Sequence, residues 1–142
     1  MDLTHGKYLG VDYGDVRTGI AECDLSGMLA TGITTLKCGG MRNTAERVAK
    51  EAEARGCKLI VIGLPKNMDG TEGPRAQLCR EFAMQVEQAT GLPVKLWDER
   101  RTTVEAHNIL SAHNYHGKKR KDTVDAVAAS LILEGYLAFR GR

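Results

Sequence analysis

The sequence predicts an α/β domain built on a mixed five-stranded sheet with helices on both faces. Short apolar segments recur along the chain and end in glycine, proline or charged residues, which is typical of buried strands. The first three segments follow one another through short turns, so we expect three antiparallel strands. The later ones are separated by segments of helical periodicity, which indicates parallel strands with right-handed crossovers. A chain of 142 residues without repeats or linkers should form a single domain over 1–142.

The five predicted strands differ in character. The first, 8–14, is apolar and ends in glycine, and the second, 18–24, is followed by a turn. The third, 29–40, is rich in threonine and isoleucine and is closed by two glycines. The fourth, 58–65, reads KLIVIGLP, which is typical of a central strand covered on both faces. The fifth, 94–99, ends in two acids at the predicted carboxyl edge of the sheet.

Helical periodicity is found at four places, each between or after the strands. Asn43 or Thr44 is expected to cap the first helix, and Gly56 to end it. The predicted helices cover about 44–55, 75–89, 102–113 and 122–138.

Composition excludes several classes of protein. The net charge is only +2, so overall charge predicts no polyanion partner, although the run KKRK at 118–121 concentrates positive charge locally. No segment approaches the ~18 apolar residues of a membrane span, and the N-terminus lacks the pattern of a signal peptide. We therefore expect a cytoplasmic protein without membrane association, with its four cysteines as reduced thiols.

Three carboxylates occupy positions where an ionised group is costly to bury. Asp12 lies within the first strand, on the same face as Gly10. Glu99 ends the fifth strand on the face of Trp97, and ligands gather at the carboxyl ends of parallel strands. Asp125 lies on an apolar helix beside small alanines that would let the helix approach the sheet. Each also has a structural explanation: an Asp that starts a turn, a solvated strand end, and a first-turn Asp that complements the helix dipole.

Convergence of the three carboxylates would require divalent cations, because like charges repel. Carboxylate oxygens are hard ligands that select Mg²⁺ or Mn²⁺. Two such ions ~4 Å apart can activate a water molecule and stabilise the leaving oxygen in phosphodiester hydrolysis. The pattern therefore predicts a metal-dependent hydrolytic site at Asp12, Glu99 and Asp125.

Four motifs in this chain resemble those of the YqgF family, also called RuvX. In order they read GVDYGDVRTGIA, VIGLPKNMDGTEGPR, LWDERRTTVEA and KKRKDTVDAVAASLILEGYL. Members of this family are small RNase H-like proteins described as Holliday-junction resolvases or pre-16S rRNA nucleases. The resemblance covers roughly residues 7–138 and implies the RNase H fold. It also implies catalytic, metal-binding acids at Asp12, Glu99 and Asp125.

Basic and polar residues of these motifs are candidates for contacts with nucleic acid. They are Arg17, Asn67, Thr71, Arg100, Lys118, Lys119, Arg120 and Lys121. Other interpretations stay open: Arg17 as an exposed hairpin residue, Asn67 and Thr71 as part of a loop that shapes the cleft, and Arg100 as a residue that meets only water. The run at 118–121 could be a solvated basic loop before the last helix.

Two further groups are not assigned to the site. Strand alternation points Asp98 away from Glu99. His107, His113 and His116 lack the spacing of a zinc-enzyme motif, and no cysteine lies near them in the sequence.

The leading functional hypothesis is a metal-dependent endonuclease that processes the 5′ end of pre-16S rRNA during ribosome biogenesis. One alternative is a Holliday-junction resolvase, which would act on branched DNA as a symmetric homodimer, whereas a trimming nuclease could be a monomer. A second alternative is a non-catalytic ribosome assembly factor that binds nucleic acid through the basic run. An ATP-dependent phosphotransferase of the actin and sugar-kinase type would need two lobes, each as long as this chain.

Overall fold

The computed structural model describes residues 6–24, 30–37, 39–99 and 117–140, with side chains other than those of 32, 117–123 and 140. The described elements are β1 (Tyr8–Asp12), β2 (Arg17–Cys23), β3 (Ala30–Lys37), α1 (Met41–Arg55), β4 (Leu59–Leu64), α2 (Pro74–Thr90), β5 (Val94–Asp98) and α3 (Gly117–Arg140). The helix predicted at 102–113 lies outside the described residues.

The sheet is mixed, as predicted, and its strand order is β3-β2-β1-β4-β5. β1 pairs antiparallel with β2, and β2 with β3, and only a few residues separate these strands along the chain. β4 runs parallel to β1 and to β5, because the connections through α1 and α2 return the chain to the same edge. The carboxyl ends of β1, β4 and β5 therefore meet at one edge of the sheet.

The two faces of the sheet are covered by different helices, since side chains alternate along each strand. One face packs against α1 and α2, and it includes Leu9 and Val11 of β1. The other face packs against α3, and it includes Tyr8 of β1. β5 follows the same rule, with Leu96 on the side of α1 and α2 and Trp97 on the side of α3. The faces predicted from alternation are therefore confirmed.

The first helix begins earlier than predicted, and the expected caps at Asn43 and Thr44 are wrong. α1 starts at Met41 after Gly40, and no side chain caps its first N–H groups. The Thr44 hydroxyl instead donates a hydrogen bond of 2.8 Å to the Gly40 carbonyl. A hydroxyl that bonds the carbonyl four residues back belongs inside a helix. The predicted stop at Gly56 is confirmed, since this glycine is left-handed with φ 67°.

The last helix also begins earlier than predicted, at Gly117 instead of about 122. The basic run at 118–121 therefore lies in the first turns of α3 and not in a loop before it. Asp125 consequently lies two turns inside the helix, so the interpretation of Asp125 as a first-turn acid is wrong. The run contains no apolar residue and gives no periodicity, yet Lys and Arg are good helix formers.

Two composition-based expectations can be compared with the structure. None of the helices in the described residues is long and apolar enough to cross a membrane. Cys23, Cys57 and Cys79 are buried thiols, as predicted, and Cys38 lies outside the described residues.

Candidate active site

The close approach of α3 to the sheet depends on glycines in the strands as well as on alanines in the helix. A Cβ atom at Gly10 would lie 2.8 Å from the Ala129 carbonyl oxygen, and one at Gly19 would collide with the Asp125 carbonyl oxygen. Ala128 and Ala129 are buried in this contact. Any larger side chain in the strands would push the helix outward. Because these glycines have no side chains, α3 packs close to the sheet and Asp125 lies against β1 and β2. Asp12 is part of β1.

A third glycine makes room for the carboxylate of Glu99. A Cβ atom at Gly63, on the central strand β4, would collide with Glu99 Oε2 and would lie 2.6 Å from Ile132 Cδ1. The Glu99 backbone N–H donates a hydrogen bond of 3.2 Å to the Leu64 carbonyl and so extends the pairing of β4 and β5. The side chain of Glu99 therefore passes over β4 and forms a hydrogen bond with Asp12.

Asp12 and Glu99 are half-buried carboxyl groups joined by a hydrogen bond, which requires a proton shared between them. Burial, and then the charge of Asp125, raise the pKa of Asp12 from 3.8 to about 7. Burial, and then the charge of Asp12 and its hydrogen bond, raise the pKa of Glu99 from 4.5 to about 8. The hydrogen bond between the two groups lowers the pKa of Asp12 and raises that of Glu99. Asp98, the remaining acid at this strand end, is the weakest of the charges acting on Glu99.

The third carboxylate, Asp125, lies within electrostatic reach of Asp12. Its Oδ2 atom is buried. The structure thus brings together the three acids singled out in the sequence, from β1, the end of β5 and α3. Their roles in catalysis and metal binding stay predictions.

The donor set suits a hard divalent cation, because it consists of carboxylate oxygens. The pKa values of Asp12 and Glu99 are raised by burial first and then by neighbouring carboxylates. Within the described residues, no three side chains of His, Cys, Asp or Glu are already arranged to hold a metal ion. A cation would replace the shared proton.

Three of the predicted nucleic-acid contacts begin or follow strands at this edge of the sheet, namely Arg17, Asn67 and Thr71. Arg17 begins β2 and, by alternation, shares the face of Gly19, which contacts α3. Arg100 lies outside the described residues, as do the three histidines discussed above. The basic run at 118–121 is described only as backbone, within α3.

The loop after β4 is bonded internally. Asn67 Nδ2 donates to Thr71 Oγ1 at 2.9 Å, and the Thr71 hydroxyl donates to Asp69 Oδ1 at 2.6 Å. Gly70, with φ 89°, completes the turn by donating to the Asn67 carbonyl at 2.8 Å. These bonds favour a loop of fixed shape whose exposed polar groups border the carboxyl edge of the sheet.

Sequence analysis missed one residue of the site, Arg75, which lies in the first turn of α2. Its Nη1 donates to Asp15 Oδ1 at 2.8 Å, and its Nη2 donates to the Tyr13 carbonyl at 2.7 Å. Its positive charge lowers the pKa of both Asp12 and Glu99. A signal was available, because a cation in the first turn opposes the helix dipole. Such a placement suggests a role other than helix stability.

Comparisons with known proteins find similar sequences that span nearly the whole chain. A family model described as "RuvX: Holliday junction resolvase" matches residues 6–139. A protein of Carboxydothermus hydrogenoformans named "Putative pre-16S rRNA nuclease" is 39% identical over 136 residues, which covers 96% of this chain and 99% of that protein. A protein of Syntrophus aciditrophicus with the same name is 43% identical over 131 residues, which covers 92% and 87%.

Solved structures with low sequence identity share the fold. The RuvC protein of T. thermophilus in complex with a Holliday junction substrate aligns with a TM-score of 0.60 at 12% identity, covering 96% of this chain and 97% of that one. The fowlpox virus resolvase with Holliday junction DNA aligns with a TM-score of 0.55 at 13% identity, covering 96% and 99%. These likenesses confirm the predicted RNase H-like α/β fold.

Proposed function

Since the chain belongs to the RuvX family, we propose that it is a nuclease that hydrolyses phosphodiester bonds with divalent cations held by Asp12, Glu99 and Asp125. The observation that carries the proposal is the cluster of half-buried carboxylates at the carboxyl edge of β1, β4 and β5. Three acids held close together and partly out of water destabilise a protein unless they bind a proton or a cation. We take 1–142 as one nuclease domain.

The proposed cofactor is Mg²⁺ or Mn²⁺, in a two-ion arrangement. The cations supply activation of the attacking water and neutralisation of charge on the leaving oxygen. The chain itself must release the proton that Asp12 and Glu99 share before both can act as ligands. The packing of α3 on Gly10 and Gly19 then keeps Asp125 in place without rearrangement. We expect 5′-phosphate and 3′-hydroxyl products.

The favoured substrate is the 5′ end of pre-16S rRNA. Its support is the name shared by curated relatives that cover nearly the whole chain. Such a substrate would place the protein in the cytoplasm and would require only one site, so a monomer would suffice.

A second candidate is branched DNA, favoured by the description of the matching family model. A junction resolvase cuts two strands and would need a homodimer with two sites. A non-catalytic assembly factor is a third alternative, but it offers no reason for a half-buried cluster of acids.

The test is a cleavage assay with end-labelled substrates in Mn²⁺, Mg²⁺ or EDTA. The substrates are a four-way DNA junction, linear duplex DNA, single-stranded RNA and a precursor rRNA 5′-leader. Asp12→Asn removes one proposed ligand, and Glu46→Gln removes an exposed carboxylate of α1 as a matched control. Metal-dependent cutting that only Asp12→Asn abolishes supports the nuclease, and the preferred substrate decides between RNA and junction DNA. Binding without cutting, equal in both variants, would indicate the assembly factor.

A further inference from the structure

The guanidinium group of Arg75 is held in a fixed orientation at the rim of the carboxylate cluster. One of its terminal nitrogens is anchored by the Tyr13 backbone carbonyl, at 2.7 Å. Its Cζ lies 5.0 Å from the centre of the Tyr13 ring, and that ring stacks on Phe82 at a centroid distance of 4.0 Å. Phe82 is fully buried, so the stack rests on the core. The anchored group needs little reorganisation to bind a ligand.

The second terminal nitrogen of Arg75 binds a carboxylate that is easily displaced. Nη1 donates to Asp15 Oδ1 at 2.8 Å, and the Asp15 side chain is 78% exposed. Asp15 lies at the tip of the β1–β2 hairpin, where water can solvate it after release. An ion pair with so exposed a partner contributes little stability. Carboxylate and phosphate oxygens fit the same guanidinium geometry.

The location of Arg75 relates this ion pair to the site. The positive charge of Arg75 acts on both Asp12 and Glu99. A phosphate that replaced Asp15 on Nη1 would therefore lie beside the carboxylates that surround the proposed reaction centre. The positively charged guanidinium group would lie between this phosphate and the carboxylates, which prevents direct repulsion between the anions.

We propose that Arg75 binds a non-scissile phosphate of the nucleic-acid substrate, and that Asp15 occupies the place of this phosphate in the free protein. This inference rests on the proposed nuclease function. Arg75 is then a positioning residue. The hydrogen bond between Asp15 at the hairpin tip and Arg75 must break before the substrate binds. Binding exchanges one anion for another on a fixed cation.

The test measures binding of a fluorescein-labelled four-way DNA junction and a labelled precursor-rRNA leader by anisotropy in Ca²⁺, from 50 to 200 mM salt. The variants are Arg75→Gln, Asp15→Asn and the double variant. Arg80→Gln is the matched control, because Arg80 lies on the same helix and binds the Glu72 carboxylate at 2.6 Å. Thermal unfolding verifies that each variant folds. Asp15→Asn keeps the test valid if Arg75→Gln does not fold, because its side chain is exposed.

We expect Arg75→Gln to raise Kd about tenfold and to lower the slope of log Kd against log salt by about 0.7–0.9, as for one lost phosphate contact. Asp15→Asn should lower Kd about threefold in the wild-type background and leave it unchanged beside Arg75→Gln. Arg80→Gln should change Kd less than about twofold. These three results together would support the exchange.

Unchanged Kd and salt slope in Arg75→Gln would overturn the inference. The inference would also be overturned if Asp15→Asn lowered Kd equally in the wild-type and the Arg75→Gln backgrounds. Such a result would show only a general effect of charge. Wild-type cleavage of the same probes in Mn²⁺ is measured in parallel. Binding with Arg75 dependence but without cleavage would overturn the nuclease proposal and leave the phosphate site standing. Absence of both binding and cleavage would overturn both.

Discussion

Replacing Asp12 by asparagine should stabilise the metal-free protein while removing its response to metal. Raising the Asp12 pKa from 3.8 to about 7 corresponds to about 4 kcal/mol of unfavourable free energy for the ionised group at pH 7.5. The amide introduced by Asp12→Asn carries no charge, which removes this cost. Its N–H donors are buried, however, and incomplete hydrogen bonding of these donors offsets about 1–3 kcal/mol of the gain. We therefore expect the free energy of unfolding to rise by about 1–3 kcal/mol.

The assay is urea unfolding at pH 7.5, first in EDTA and then with increasing Mg²⁺. The wild type should gain about 2.7 kcal/mol when Mg²⁺ reaches 100 times its Kd, and Asp12→Asn should lose most of this gain. Glu46→Gln, an exposed change on α1, should behave as the wild type in both conditions. A destabilised Asp12→Asn protein with an intact Mg²⁺ response would refute the carboxylate cluster as the metal site.

The remaining predictions concern pH, packing and chemistry. In EDTA the folded protein binds more protons at Asp12 and Glu99 than the unfolded chain between about pH 4 and 8, because both pKa values are raised. Stability in urea should therefore fall by about 4 kcal/mol or more as pH rises through this window, and a flat profile would contradict the raised pKa values. Gly19→Ala should lower the free energy of unfolding by about 2–3 kcal/mol and reduce cleavage, because its Cβ atom collides with the Asp125 carbonyl oxygen. The control is Gly39→Ala, which should have little effect because no atom lies within 4 Å of the added Cβ. Glu99→Gln should lower kcat by about 10³-fold or more with a small change in KM, and a loss confined to KM would argue against its role in the chemistry.

Much of the fold is encoded in patterns that are local in the sequence. The strands at 8–14 and 58–65 were predictable because a buried strand must be apolar along its whole length. Alternation along β1 and β5 was sufficient to place Asp12 and Glu99 on the face that packs against α3. The choice of these acids needed no contact information, because an acid among buried residues is costly wherever the chain folds.

The starts of the helices were harder to predict. Thr44 was mistaken for a cap because its hydroxyl can either accept from a helix N–H or donate to a carbonyl four residues back. The basic run at 118–121 has no apolar residue, so periodicity could not show that it belongs to α3.

The amino-acid sequence alone determined the order of strands and helices along the chain and the three acids worth testing. Periodicity and the cost of burying an acid are properties of single segments. Only the tertiary structure decided how those acids meet. Gly63 and Glu99 lie on different strands, and the Gly63 backbone leaves the space that the Glu99 carboxylate fills. Arg75 and Asp15 are 60 residues apart, and no pattern in one segment indicates that the hairpin tip reaches α2. Such contacts depend on how closely the elements approach, and that distance is set by packing of the whole domain.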